Sequence, residues 1–186
     1  MTMEHKFEEK LQLLPGNELE LRLGNVVAAL THADTDGVLV SDNANLFYLT
    51  GRIFCGYIYV GRDSMIRYFL RRPSVLTGAD VHRIRKPEDM ATLLADLVNA
   101  DTNVGFTVDD TPYSTIQRLC KAIGSPRIAN GSAVLRAARS VKTPMEVKLI
   151  VDSGMRLSDI YRRLPHLYRE GMTDIELQIE IERVLR

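Results

Sequence analysis

Four histidines, two cysteines and a scatter of carboxylates are the residues from which metal, nucleophilic or acid–base chemistry would have to be built. His5, His32, His82 and His166 offer no two imidazoles at ligand spacing, and the helical His-Glu-x-x-His signature is absent. Cys55 and Cys120 lack the paired spacing of a zinc site. Both fall in apolar stretches, which predicts buried free thiols of a reducing compartment. Asp109-Asp110 is the nearest approach to a paired acid, but it directly precedes a helix start and reads as a capping turn. Ser114 sits inside a helical pattern with no nucleophile elbow around it, and no Gly-rich phosphate loop occurs. Arg62, Arg67, Arg71 and Arg72 alternate with Ile66, Tyr68 and Leu70, the pattern of the wet edge of a strand. From its own residues the chain is expected to carry no catalytic group, no metal site and no cofactor.

One segment does concentrate polar groups in a turn. Ser41-Asp42-Asn43-Ala44-Asn45-Leu46-Phe47-Tyr48-Leu49-Thr50-Gly51 follows an apolar strand signal at Gly37–Val40. Asn43, Asn45, Tyr48 and Thr50 offer amides and hydroxyls to a ligand, and Arg52, just beyond, suits bidentate pairing with a carboxylate. The alternative is structural. The Asn side chains then cap a short helix, Tyr48 and Leu49 pack inward, Gly51 supplies an unusual φ, and Arg52 is a solvated surface residue.

The elements that must position this turn alternate in type. Leu19, Leu23, Val26, Val27 and Leu30 predict a helix over 18–32. Tyr57–Val60 and Met65–Leu70 are β-rich runs separated by Gly61-Arg62-Asp63-Ser64, a hairpin signal, and Val81–Ile84 is a further strand candidate. Pro87-Glu88-Asp89 opens a helix carrying Met90, Leu93, Leu94, Leu97 and Val98. A strand over 103–108, a helix from Thr111-Pro112 to Gly124 and a short strand over 127–129 complete the pattern. Strands alternating with amphipathic helices, interrupted by one hairpin, predict a layered α/β domain with a mixed sheet.

That first domain is expected to span 1–137, and 138–186 differs in kind. Thr143-Pro144-Met145-Glu146 and Thr173-Asp174-Ile175-Glu176 are capping boxes that open two helices. Val147, Ile150, Val151, Ser158 and Tyr161 line a face of small and apolar residues on the first, with Met145 and Met155 as core fillers. Pro165 is expected to kink or end that helix. Leu177, Ile181, Val184 and Leu185 line the second. Two amphipathic helices without a sheet cannot make a core, so they dock on the first domain, dock on a second copy, or, as expected here, begin a truncated domain.

Charge restricts the partners. The 24 Lys+Arg balance 24 Asp+Glu, which leaves no polyelectrolyte footprint for nucleic acid or a membrane surface. The apolar run from Ile53 to Val60 is far too short to span a bilayer. Met1 to Leu14 mixes Glu4, Glu8 and Glu9 with Lys6 and Lys10, unlike a secretory signal. A cytoplasmic protein is expected.

Three fragments carry a resemblance: the 41–51 turn, Arg139-Ser140-Val141-Lys142-Thr143-Pro144-Met145-Glu146-Val147, and Glu170-Gly171-Met172-Thr173-Asp174-Ile175-Glu176. In this order and spacing they resemble the pita-bread metallopeptidases: Xaa-Pro aminopeptidase, prolidase and creatinase. The resemblance implies an amino-terminal α/β domain similar to ribonuclease H, followed by the first helices of a truncated pita-bread domain. It also implies a homodimer, a proline-containing peptide as substrate of the full-length enzyme, and two divalent metal ions held by ligands beyond the third fragment. None of those ligands is assignable here. Within the resemblance Asn43, Asn45, Tyr48 and Arg52 become substrate-gating candidates, while Gly51, Arg139, Lys142 and Glu146 become structural or linker residues. The resulting expectation is the dimerising, substrate-gating part of a metal-dependent Xaa-Pro aminopeptidase or dipeptidase, inactive alone. The alternative is a non-catalytic interaction or assembly module of the same fold. A ribonuclease H-like nuclease is disfavoured because no strand carries an acid at its centre, and creatinase-like chemistry on a non-peptide amide stays open.

Overall fold

The computed structural model describes residues 14–74 and 76–185. The reading of the amino-terminal stretch as unlike a secretory signal lies, through residue 13, outside the described residues. The chain divides into two compact units, one ending at Val141 and one starting at Lys142.

The first unit runs α1 (Gly16–His32), β1 (Gly37–Val40), α2 (Asn43–Thr50), β2 (Gly56–Gly61), β3 (Ile66–Leu70) and β4 (Val81–Arg83). A 3-10 turn over Pro87–Asp89 leads into α3 (Met90–Leu94), then β5 (Asn103–Phe106), α4 (Tyr113–Ala122), β6 (Arg127–Asn130) and α5 (Gly131–Ser140). Six strands form one mixed sheet in the order β4-β3-β2-β1-β5-β6. The β1–β2 and β2–β3 pairs are antiparallel, whereas β1–β5, β5–β6 and β3–β4 are parallel. The layered α/β class expected from the alternation is what forms.

Period-two alternation splits the sheet's side chains between two cores. Val38 and Val40 of β1, with Ile58 and Val60 of β2, pack against Val26 and Leu30 of α1, Leu46 and Leu49 of α2, and Val134 and Leu135 of α5. Leu39, Tyr57, Tyr59, Val104 and Phe106 point the other way, onto Met90, Leu94, Ile116 and Leu119. Every residue of β1 is buried, because it lies in mid-sheet with helices over both faces.

Four differences from the sequence reading have identifiable causes. Helix α5 was not anticipated. Its apolar positions Val134, Leu135 and Ala138 cover less than two turns, and its start signal is a single residue, Asn130, whose side chain accepts from the Ala133 amide at 3.0 Å. Strand β3 is not an edge, since β4 pairs outside it. Arg67 instead reaches across to Asp96 in a two-pronged ion pair at 2.7 and 2.8 Å, and Arg62 pairs with Asp34 and Asp36. Asp109 does not cap α4, whose first turn takes no side-chain cap; it pairs with Arg136 of α5. Cys55 is exposed rather than buried, and only Cys120 is partly covered, its thiol pushed up by burial.

The second unit consists of α6 (Pro144–Leu167) and α7 (Asp174–Leu185). Both expected boxes form. Thr143 and Glu146 exchange backbone-to-side-chain bonds at 3.0 and 3.1 Å, and Thr173 and Glu176 at 2.8 and 3.2 Å. Helix α6 ends at Leu167, two residues after Pro165. Val147, Ile150, Val151, Met155 and Tyr161 are all exposed, so Met155 is not a core filler.

Candidate functional site

Asp42, not an asparagine, caps the helix of the polar turn. One carboxylate oxygen accepts from the Asn45 amide and the other from the Asn45 side chain, each at 2.9 Å. The carbonyl oxygen of the same Asn45 side chain accepts from Arg139 of α5 at 3.1 Å. Tyr48 is buried, and its hydroxyl donates to the carbonyl of Ala138 at 3.3 Å. Arg22 of α1 lies over the Tyr48 ring, 5.0 Å from its centroid, and donates to the Tyr48 carbonyl at 3.2 Å. Arg22 is in turn paired at 2.7 Å with Glu18, and both side chains are 6% exposed or less. Asn45, Tyr48, Arg22 and Arg139 thus weld three helices together on one face of the sheet.

The end of α2 is equally committed. The Thr50 hydroxyl is shared between the carbonyls of Leu46 and Arg52, at 2.7 and 2.9 Å. Gly51 adopts φ +66°, a left-handed helix end that a residue with a Cβ takes only under strain. Among the sequence candidates of this turn, Asn43 is exposed and Arg52 half-buried, while Asn45, Tyr48 and Thr50 face inward. Glu146 sits in the Thr143 box, and Lys142 is exposed in the connection before it.

Asn43 opens onto a cleft of about 560 Å³ at the carboxyl-end edge of β1. Its walls come from the α2 approach (Ser41, Asn43), the segment entering β2 (Ile53, Phe54, Cys55, Gly56, Tyr57), the residue after β3 (Arg71) and α4 (Thr115). The carboxyl ends of parallel strands are where open α/β sheets hold ligands. Behind the cleft, the hydroxyls of Ser41, Thr107 and Thr111 lie within 2.9–3.4 Å of one another, tying the ends of β1 and β5 together. Sequence reasoning found Asn43 but missed Thr115, which carries no local signal. It read Arg71 as a strand-edge charge, because nothing in the sequence reveals that residue 71 comes back beside Cys55.

A second cleft, of about 360 Å³, lies at the opposite edge of the sheet beside Asp36, Tyr59 and Asp63. Burial, and then the Asp63 and Asp36 charges, push the Tyr59 phenol up to about 12, so it stays neutral. Asp36 is occupied there by Arg62 and by the Asn103 amide. Among the described residues, no group of three or more His, Cys, Asp or Glu could hold a metal ion.

A six-stranded mixed sheet between helical layers, with a cleft at the carboxyl end of β1, defines a layered α/β domain. The chain belongs to the creatinase/prolidase N-terminal domain family, which matches residues 22–141. No match was found among curated proteins. Among solved structures, dipeptidase PepE from Mycobacterium ulcerans superimposes with a TM-score of 0.74 at 20% identity, over 93% of this chain and 50% of that one. The Xaa-Pro dipeptidase from Bacillus anthracis gives 0.72 at 17% identity, over 90% of this chain and 49% of that one. The N-terminal domain of the cytoplasmic peptidase PepQ from Mycobacterium tuberculosis H37Rv gives 0.53 at 19%, over 63% of this chain and 98% of that one. The chain thus spans about half the length of the two dipeptidases, and at these identities the likeness is one of fold. Among the described residues, no helix is long and apolar enough to cross a membrane.

Proposed function

We propose that the chain is the dimerising and substrate-gating part of a cytoplasmic, metal-dependent Xaa-Pro aminopeptidase or dipeptidase. The two divalent ions of that enzyme would be held outside these residues, so the chain by itself does not hydrolyse peptides. The observation that carries this reading is the family match together with fold coverage of nine-tenths of this chain, but only half of each dipeptidase. In this reading Asn43 and Arg52 present their side chains at the entrance to a partner's active site. Asn45, Tyr48, Gly51 and Arg139 hold the turn that carries them. Lys142 and Glu146 belong to the connection into the catalytic domain.

The test is to sequence the reading frame past the Arg186 codon and to assay its product on Xaa-Pro dipeptides with divalent metal. The expected frame continues into His-, Asp- and Glu-bearing sequence and yields a hydrolase whose KM rises in the Asn43→Ala and Arg52→Ala variants. A stop codon directly after Arg186 contradicts this and favours the non-catalytic assembly module.

A further inference from the structure

The cleft beside Asn43 has an asymmetric chemistry. Its lining combines the large side chains of Ile53, Phe54 and Tyr57 with the polar Ser41 and Asn43. Arg71 is the single charged residue in its lining, which includes no Asp or Glu. The Arg71 backbone is fixed, because its amide donates to the Cys55 carbonyl at 2.8 Å and extends the β2–β3 ladder by one residue. Its guanidinium engages no hydrogen-bond or ion-pair partner among the described residues. The other β-hairpin arginines, Arg62 and Arg67, are both held by carboxylates. A guanidinium carried on a fixed backbone, with no partner among the described residues, at the mouth of such a cleft suits a carboxylate, to which it can donate two parallel bonds. The volume of about 560 Å³ falls in the range of about 300–1,000 Å³ typical of small-ligand pockets.

We infer that this cleft binds the free carboxy terminus of a short peptide with an apolar last residue. Arg71 pairs with the terminal carboxylate, the last side chain lies against Ile53, Phe54 and Tyr57, and the Asn43 amide meets the preceding peptide bond. A peptide is favoured over a small organic acid because the Asn43 amide supplies a donor and an acceptor that a bare acid leaves unused. The inference is independent of the proposed hydrolase. Binding is read on this chain alone, so a failed peptidase assay leaves it standing, and a failed binding assay leaves the hydrolase reading standing.

The test is calorimetric and amide-shift titration of the full chain with three probes: Ala-Ala-Phe as the free acid, Ala-Ala-Phe as the carboxamide, and 3-phenylpropionate. Ala-Ala-Phe acid is expected to bind at millimolar or better Kd, at least about tenfold tighter than the carboxamide and tighter than 3-phenylpropionate. Shifts should centre on Asn43, Cys55 and Arg71. Arg71→Met should weaken the acid about tenfold and make acid and amide equal, while Arg72→Met, at an exposed residue outside the lining, should change nothing. An unchanged melting temperature in both variants separates lost binding from lost folding. The inference is overturned by equal affinity for acid and amide, by an unaffected Arg71→Met variant, or by no binding at millimolar peptide. It is also overturned if 3-phenylpropionate binds as tightly as the peptide, which would make the occupant a small acid.

Discussion

Glu18 and Arg22 show how much of the polar turn is held from outside it. Their ion pair is almost wholly withdrawn from water, and Arg22 also supports Tyr48 through its carbonyl and its ring. Breaking one partner of such a pair leaves a buried charge behind, a loss of about 3–5 kcal/mol in comparable cases. Arg22→Met is therefore expected to lower the unfolding free energy by about that amount in a urea titration. A loss below about 1 kcal/mol would show that the pair behaves like an exposed one. None of this was legible in the sequence, where Glu18 and Arg22 read as ordinary polar positions of an amphipathic helix. Tyr48 was legible as inward-facing because it stands beside Leu49 in an apolar run. The residue it contacts 90 positions later was not.

At the level of elements, α5 starts in close contact with β5. A Cβ built on Gly131 would lie 2.8 Å from the Gly105 carbonyl carbon and the Phe106 amide nitrogen, both backbone atoms that cannot swing aside. Gly131→Ala is expected to push α5 off the sheet and destabilise the first unit by about 1–3 kcal/mol, the usual cost of overpacking. Thermal melting checks it, and an unchanged Tm would mean that the helix start has slack. The turn before α3 is tied to α4 by a different device, the two-pronged pair of Glu88 with Arg118 at 2.8 and 3.1 Å. The Arg118 guanidinium, with backbone donation, lowers the Glu88 carboxyl to about 2 from its ordinary 4.5. Backbone donors lower Asp89, and Arg67 lowers Asp96. Carboxyls lowered in the folded state stabilise it fully above their unfolded pKa, and that contribution fades as pH falls through the folded value. Tm is accordingly expected to drop between about pH 4.5 and pH 2, with a shallower drop in Glu88→Gln; identical acid profiles would contradict the linkage. Elements with long apolar periods, such as α1 and α4, were readable in advance. The β4 pairing and α5 were not, because three strand residues and an apolar set spanning less than two helical turns leave too little periodicity for tertiary packing to be inferred.

For the molecule as a whole, the sequence pattern identified the layered α/β class, because strand and helix signals alternate from Gly37 to Asn130. The three spaced fragments identified the family. The cleft escaped it, since Asn43, Cys55, Arg71 and Thr115 are separated in sequence and meet only when the carboxyl end of β1, the start of β2 and the end of β3 share one sheet edge. The functional account rests on a division of labour in which this chain gates and assembles while a further domain supplies the metals. The direct measurement is calorimetric titration of Mn2+ and of Zn2+ into the purified 186-residue chain, with hydrolysis of an Xaa-Pro dipeptide followed in the same samples. The account predicts no stoichiometric metal uptake and no hydrolysis. Two ions bound per chain, with cleavage before proline, would contradict it.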